Sequence, residues 1–243
     1  MFSTGSIQRG DKVVETSSSV GPSLATLFDK VPIENVTEGG VLFREGEAAT
    51  HIFEIVEGLL RIVRVSCDGR RTITGFLFPG EIGGVSSKDR YLYTAEAVIP
   101  TCVRSYARLS MQQKLEQDPG LRPSLFARLR DEMSAAQEQI VLLAHKVAAQ
   151  RICGFLMMLA SKRGGNQSSM TTIGIPILRQ DIADYLGLPL ETVSGAFHAL
   201  ANAKVIVPID RQSCTADLES LASIVRGDNW TDCHPRNRLD LAS

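Results

Sequence analysis

The run Arg179-Gln180-Asp181-Ile182-Ala183-Asp184-Tyr185-Leu186-Gly187-Leu188-Pro189-Leu190-Glu191-Thr192-Val193-Ser194-Gly195-Ala196-Phe197-His198-Ala199-Leu200 reads as two short helices meeting at a sharp turn. Ala183 is small enough to let the second helix pack closely on the first. Gly187 falls where the chain between them needs a left-handed backbone, which glycine adopts without a side-chain penalty. Pro189 suits the first turn of the second helix, and Val193, Phe197 and Leu200 give that helix a buried stripe. The pattern predicts a helix-turn-helix. The competing reading is a plain helical hairpin.

Upstream of this run, Leu129, Met133, Ala136, Ile140, Leu143 and Val147 alternate spacings of four and three residues, an unbroken heptad seam. Such a helix either lies on its own domain or pairs in parallel with a second copy. The 3.5-residue repeat favours the pair, because ordinary core helices drift away from it. Ala148, Ile152, Phe155, Leu156 and Leu159 then predict a further helix, ended by Gly164-Gly165. From about Val36 to Arg108 the rhythm is different: short apolar runs broken by turn residues. Val41-Phe43, Ile52-Val56, Leu59-Val65 and Thr72-Phe78 read as separate strands, divided at Glu45-Gly46-Glu47, Glu57-Gly58, Cys67-Asp68-Gly69 and Phe78-Pro79-Gly80. Short strands of this kind build an antiparallel roll, and Asp68-Gly69 predicts a hairpin. The chain divides into a disordered lead over 1–21, a β-roll over 22–122, a dimerisation helix over 123–147, a winged helix-turn-helix over 148–225 and a tail over 226–243 with no assigned role.

Composition sets the outer limits. The 243 residues are 44% hydrophobic and 22% charged, values that exclude a disordered or low-complexity chain. With 26 basic against 27 acidic residues the net charge is −1, so bulk positive charge cannot be the argument for nucleic acid. Between Thr171 and Arg211 the balance is also −1, leaving backbone attraction to helix N-termini and to Lys146, Arg151, Lys162 and Arg163. Met1 to Gly21 has no apolar signal core, and Ile152 to Ala160 is too short to cross a bilayer, so the expectation is a cytoplasmic protein with no membrane partner. The five cysteines are an odd, scattered set, expected as free thiols without a metal. Cys153 reads as core. Cys214, near Arg211, is the better redox candidate because a neighbouring cation favours thiolate. Cys233-His234 reads as tail. The four histidines show no metal or nucleophile–base spacing, and no enzyme is expected.

The roll residues Glu45-Gly46-Glu47, Gly58, Leu60-Arg61, Asp68-Gly69-Arg70-Arg71 and Pro79-Gly80-Glu81, followed by the Arg179–Leu188 run and Glu191-Thr192-Val193-Ser194, resemble the Crp/Fnr superfamily of transcription regulators over about Leu24 to Val225. The second motif is most similar to its FixK/FnrN branch. The resemblance implies an α+β fold: an N-terminal cyclic-nucleotide-binding-like β-roll, a long dimerisation helix and a C-terminal winged helix-turn-helix. It implies a homodimer on double-stranded DNA, reading TTGA-type inverted repeats, contacting RNA polymerase and controlling low-oxygen or nitrogen-fixation genes. No cysteine precedes Cys67, which leaves no ligand set for the iron–sulfur cluster of the oxygen-sensing members. The cyclic-AMP receptors carry an Arg-Ser pair about ten residues after the roll's Gly-Glu, as a fork for the cyclic phosphate. Here Tyr93-Thr94 stands in its place, with Arg90 nearby. No cofactor is therefore expected, and a cyclic-nucleotide-responsive regulator is the lesser alternative.

For DNA the resemblance carries over Glu191 as acceptor from a cytosine amino group and Ser194 as a base or phosphate contact. Leu190 and Thr192 lie near the helix start, Arg179 and Gln180 on the preceding helix, and His198 further along the reading face. The family arginine that forks onto guanine is Gly195 here, so recognition is expected to be weakened or retuned. The alternative it raises is a regulator acting through heterodimers with an intact relative.

Overall fold

A computed structural model describes residues 24–86, 88–145, 147–162 and 170–228. The lead over 1–21, Lys146, Arg163, Gly164-Gly165, Cys233-His234 and the tail beyond 228 lie outside the described residues.

The N-terminal half is a six-stranded antiparallel roll. It follows a short helix α1 (Ala25–Phe28) and contains β1 (Ile33–Val36), β2 (Val41–Phe43), β3 (His51–Val65), β4 (Arg71–Leu77), β5 (Ile82–Gly83) and β6 (Thr94–Ala107). The order is β1-β6-β3-β4, with β2 also on β6 and β5 also on β3. The Asp68-Gly69 hairpin forms between β3 and β4: Gly69 has φ +79°, and the Ser66 N–H donates to the Arg70 carbonyl at 3.0 Å.

The break expected at Glu57-Gly58 does not end a strand. β3 runs through it as one 15-residue strand with register shifts between Ile55 and Leu60. Gly58 takes φ +98°, which lets the strand bulge instead of turning back. Buried Thr101 closes the bulge: its Oγ1 accepts from the Leu59 N–H at 3.1 Å and donates to the Ile99 carbonyl at 2.7 Å.

Helix α2 (Arg108–Gln117) and a 3-10 turn lead into α3 (Arg122–Ala144), the long helix. It is followed by α4 (Ala148–Lys162), β7 (Met170–Gly174), α5 (Arg179–Leu186), α6 (Leu190–Asn202), the wing strands β8 (Ile206–Pro208) and β9 (Ser213–Asp217), and α7 (Leu218–Arg226). The small sheet has the order β7-β9-β8. The long helix is shorter than the 123–147 expected, because His145 turns extended with ψ +134° and ends it. Val147, the last seam residue, therefore lies past the helix.

Beside a small cluster around Leu24, Phe28, Ile52 and Met111, two larger apolar cores form. One is internal to the roll, around Phe43, Ile55, Leu60 and Val103, with Phe43 stacked on Tyr91 at 4.0 Å between centroids. The other joins the two halves: Leu59, Val63, Ile73 and Phe76 of the roll pack in one cluster with Phe155, Ile182, Leu186 and Val193 of the C-terminal reading head.

A Cβ built on Gly58 would lie 2.5 Å from Thr101 Oγ1 and 2.7 Å from the Pro100 carbonyl oxygen. Gly58→Ala combines that overlap with a left-handed φ, and is expected to lower unfolding free energy in urea by roughly 2–4 kcal/mol.

Candidate nucleic-acid interface

The turn between α5 and α6 is built as its sequence requires. Gly187 adopts φ +61°, and the Leu188 N–H returns to the Ala183 carbonyl at 3.0 Å. Pro189 sits one residue earlier than expected, outside the first turn, as the extended residue before α6. Val193, Phe197 and Leu200 are buried. Glu191, Ser194 and His198 are exposed, with Gly195 half-buried beside them, and their spacings of three and four residues place them on one face. Leu190 is exposed and Thr192 half-buried at the helix start.

Arg179, the first residue of α5, does not point freely outward. Its guanidinium lies 3.4 Å from the Phe197 ring centroid, a cation–π contact. It lines a cavity of about 270 Å³ between α6 and the wing, together with Ser194, His198, Arg211 and Cys214. Burial lowers its pKa from the ordinary arginine value, while nearby Cys214 works in the opposite direction. Gln180 is exposed and donates to Asp184 at 2.9 Å. Exposed Arg211, in the wing turn, borders the same cavity; its one local signal is its place in the Asp210-Arg211-Gln212 turn.

Several charges are engaged within the fold. Asp181 is only 4% exposed and accepts from Arg61 Nη1 at 2.7 Å, so a roll cation compensates this acid of the reading head. Arg151 donates to the carbonyls of His145 at 2.8 Å and Leu186 at 3.0 Å. Lys162 pairs with Glu81 and lies over the Phe78 ring. Of the four cations expected to flank the reading head, the two described ones thus have protein partners.

The redox expectation at Cys214 is corrected. Its side chain is buried in β9, and the cation it meets is Arg179. Burial pushes its thiol up and Arg179 offsets this only in part, the reverse of a favoured thiolate. Cys153 is fully buried, which pushes its thiol up to about 12.

Along α3, Met133 and Ile140 are about two-thirds exposed, Leu143 and Ala136 are exposed, Leu129 is half-buried, and Val147 is exposed beyond the helix. Phe126, 68% exposed and three residues before Leu129, extends the same seam by one position; the spacing alone identifies it.

In the roll, the place of the Arg-Ser pair is taken up by contacts within the protein. Tyr93 Oη accepts from the Gly84 N–H at 2.9 Å, and burial pushes its phenol up to about 12. Thr94 Oγ1 accepts from the Glu45 N–H at 3.0 Å, and Arg90 donates to the Gly46 carbonyl at 2.6 Å. None of these three side chains is left as a free fork for a phosphate. The cavity between Glu81 and α3 is only about 90 Å³ and is lined by Asp131 and Glu132 together with Arg128 and Lys162. Small-molecule sites run to about 300 Å³ and more. The Glu132 pKa is raised, by desolvation first and by the charge of Glu81 second. Among the described residues no three His, Cys, Asp or Glu side chains could hold a metal ion, and no helix is long and apolar enough to cross a membrane.

Comparison with known proteins bears on both halves. The cyclic nucleotide-binding domain family matches residues 33–118, and the Crp-like helix-turn-helix domain family matches residues 150–224. The transcriptional activatory protein AadR of Rhodopseudomonas palustris is 34% identical over 170 residues, covering 68% of this chain and 70% of that protein. The nitrogen fixation regulation protein FixK of Azorhizobium caulinodans is 35% identical over 182 residues, covering 74% and 73%. The solved structure of FixK2 from Bradyrhizobium japonicum superposes with a TM-score of 0.73 at 28% identity, over 83% of this chain and 98% of that one.

Thiol chemistry gives a direct check on the packing around the wing. Cys67 is exposed, whereas Cys153 at pH 8 is thiolate in only about one molecule in ten thousand. Peptide mapping after brief alkylation of the native protein is expected to find Cys67 modified and Cys153 and Cys214 unmodified until the chain is unfolded.

Proposed function

The chain belongs to the Crp/Fnr family of transcription regulators, and on that basis we propose that it works as a homodimer on an inverted repeat of TTGA-type half-sites. The observation that carries the reading is the exposed row Glu191, Ser194 and His198 on a helix whose opposite stripe is buried and whose start is set by the Gly187 turn. A glutamate on such a face accepts from a cytosine amino group, and a serine or histidine bonds a base edge or phosphate. Dimerisation is supported by the apolar seam from Phe126 to Leu143, which α3 leaves open to water and which a parallel second copy would bury. The names of the relatives, an activatory protein and nitrogen fixation regulators, support an activator of nitrogen-fixation genes; low-oxygen control and contact with RNA polymerase are carried by the family resemblance alone. The roll then serves as a frame and not as a nucleotide receptor.

Gly195 favours a second reading, in which the native chain binds DNA weakly alone and acts in mixed dimers with an arginine-bearing subunit. An arginine fork onto guanine contributes roughly 1–3 kcal/mol per half-site, so a dimer without it forgoes about 30- to 10⁴-fold in affinity. Gly195→Arg is therefore expected to tighten binding to a TTGA palindrome by that factor in a mobility-shift titration. An unchanged affinity removes the TTGA reading. If the native chain shifts the palindrome only after mixing with Gly195→Arg subunits, the second reading is the correct one. Ile140→Asp is expected to convert the dimer to monomer in sedimentation velocity at micromolar concentration and to abolish specific binding with it; a dimer that survives this change is not held by the α3 seam.

A further inference from the structure

We infer that Arg61 is a positioning residue for DNA reading: from the roll it holds Asp181, and so sets the angle of the reading head and the half-site spacing that a dimer accepts. The inference rests on the dimeric, inverted-repeat reading proposed above. It begins with the break at His145. Because α3 ends at Ala144 and the backbone turns extended, no continuous helix transmits orientation from the dimer seam to α4 and the head. Orientation must come from packing and polar contacts; beside the α3–α4 contacts and the Arg151 tie to His145 and Leu186, those between the head and the roll are of two kinds.

The apolar kind is broad. Phe76 of β4 meets Tyr185 of α5 at 5.2 Å and Phe155 of α4 at 6.4 Å between ring centroids, inside the core shared by both halves. Such burial is strong but has little directional preference, so it holds the head on the roll without fixing its angle. The charged kind is directional. Arg61 sits mid-strand in β3, opposite Glu96 on β6 and Phe76 on β4. Its Nε donates to Glu96 at 2.9 Å and its Nη1 to Asp181 at 2.7 Å. Glu96 is itself held by Arg71 at 2.7 Å. The guanidinium is thus clamped on its own sheet and presents its remaining edge to the first turn of α5. Burial by itself would lower the Arg61 pKa, but the hydrogen bonds it donates to Glu96 and Asp181 carry it above the ordinary value.

Two carboxylates and two guanidiniums close this cluster at zero net charge. A buried ion pair of this sort adds little net stability over an apolar pair of similar volume, but it does specify a register. Asp181 lies in the first turn of α5, the helix that packs against α6, two residues before buried Ala183. A tilt of α5 about this point carries the exposed face of α6 with it. In a dimer the two recognition helices must meet half-sites about one helical turn apart, so the angle becomes a spacing.

The test must separate positioning from folding. Arg61→Gln and Asp181→Asn each strand a charge, so the informative variant is the apolar pair Arg61→Met with Asp181→Leu, which strands none at this contact. Its melting temperature is expected to stay within a few degrees of native. Spin labels at native Cys67 and at Asn202→Cys, in a background with Cys102→Ser and Cys233→Ser and in dimers diluted with unlabelled chains, report the roll-to-head distance without DNA. The native arginine is expected to give one narrow distance and the apolar pair a broad one. Across palindromes differing by single base pairs in centre spacing, the native chain is expected to prefer one spacing by about tenfold or more, and the apolar pair by less than about threefold. A distance that stays narrow overturns the inference, as does a broadened distance with an unchanged spacing preference. If the native chain binds no inverted repeat at any spacing, the inverted-repeat reading fails, and the distance measurement alone decides whether Arg61 holds the head.

Discussion

The face of the roll that carries Leu59, Val63, Ile73 and Phe76 would be exposed if the roll stood alone, and its burial by α4 and α5 organises the rest of the molecule. Each large apolar side chain removed from water there contributes roughly 1.5–3 kcal/mol. Phe155 and Ile182, both fully buried, reach it from the head. The two halves therefore share a core and are not joined by a linker alone. This explains how the chain tolerates the break at His145: the helix need not be continuous when packing holds both ends. It also explains the engagement of Arg151, which bonds the carbonyls of His145 and Leu186 and so ties the break to the end of α5.

The same packing redistributes charge. A net charge of −1 in the reading segment argues against DNA only if all its acids face solvent. Asp181 does not; its carboxylate is compensated from another part of the fold. Arg179 spends much of its exposed surface on the Phe197 ring, beside the cavity at the foot of the wing. What α6 offers outward is a short polar row with no guanidinium on the helix itself, and Arg211 on the wing next to it. A reader of this composition depends on the geometry of two heads more than on long-range attraction, since phosphate neutralisation supplies the sequence-independent part of binding.

The roll keeps the architecture of a nucleotide-binding domain while three of its polar side chains are engaged with its own backbone. Tyr93, Thr94 and Arg90 all satisfy backbone groups, and Glu81 is shared between the Phe78 N–H and Lys162. Gly58 and Thr101 show a similar economy: a glycine that resembles a strand end becomes a bulge because a buried hydroxyl satisfies the backbone it disturbs. Nothing in the alternation of residues 51–65 distinguishes a bulge from a turn, since both ask for a glycine with positive φ.

Much of this protein was legible in its residues. The helix-turn-helix, the Asp68-Gly69 hairpin and the α3 seam all follow from local spacing and turn chemistry, which act over a few residues wherever the segment is placed. Phe126 could have been read from the same spacing. What the sequence could not reveal lies between distant segments. Cys214 looks like a thiol beside Arg211 until the wing folds over it, and Arg61 and Asp181 stand 120 positions apart with nothing local to pair them. The sequence by itself determined which elements form and which face of each is apolar, because periodicity is a property of neighbouring residues. Only the tertiary structure decided which charges are compensated and how the head sits on the roll, because burial and ion pairing depend on what the rest of the chain brings to the same place.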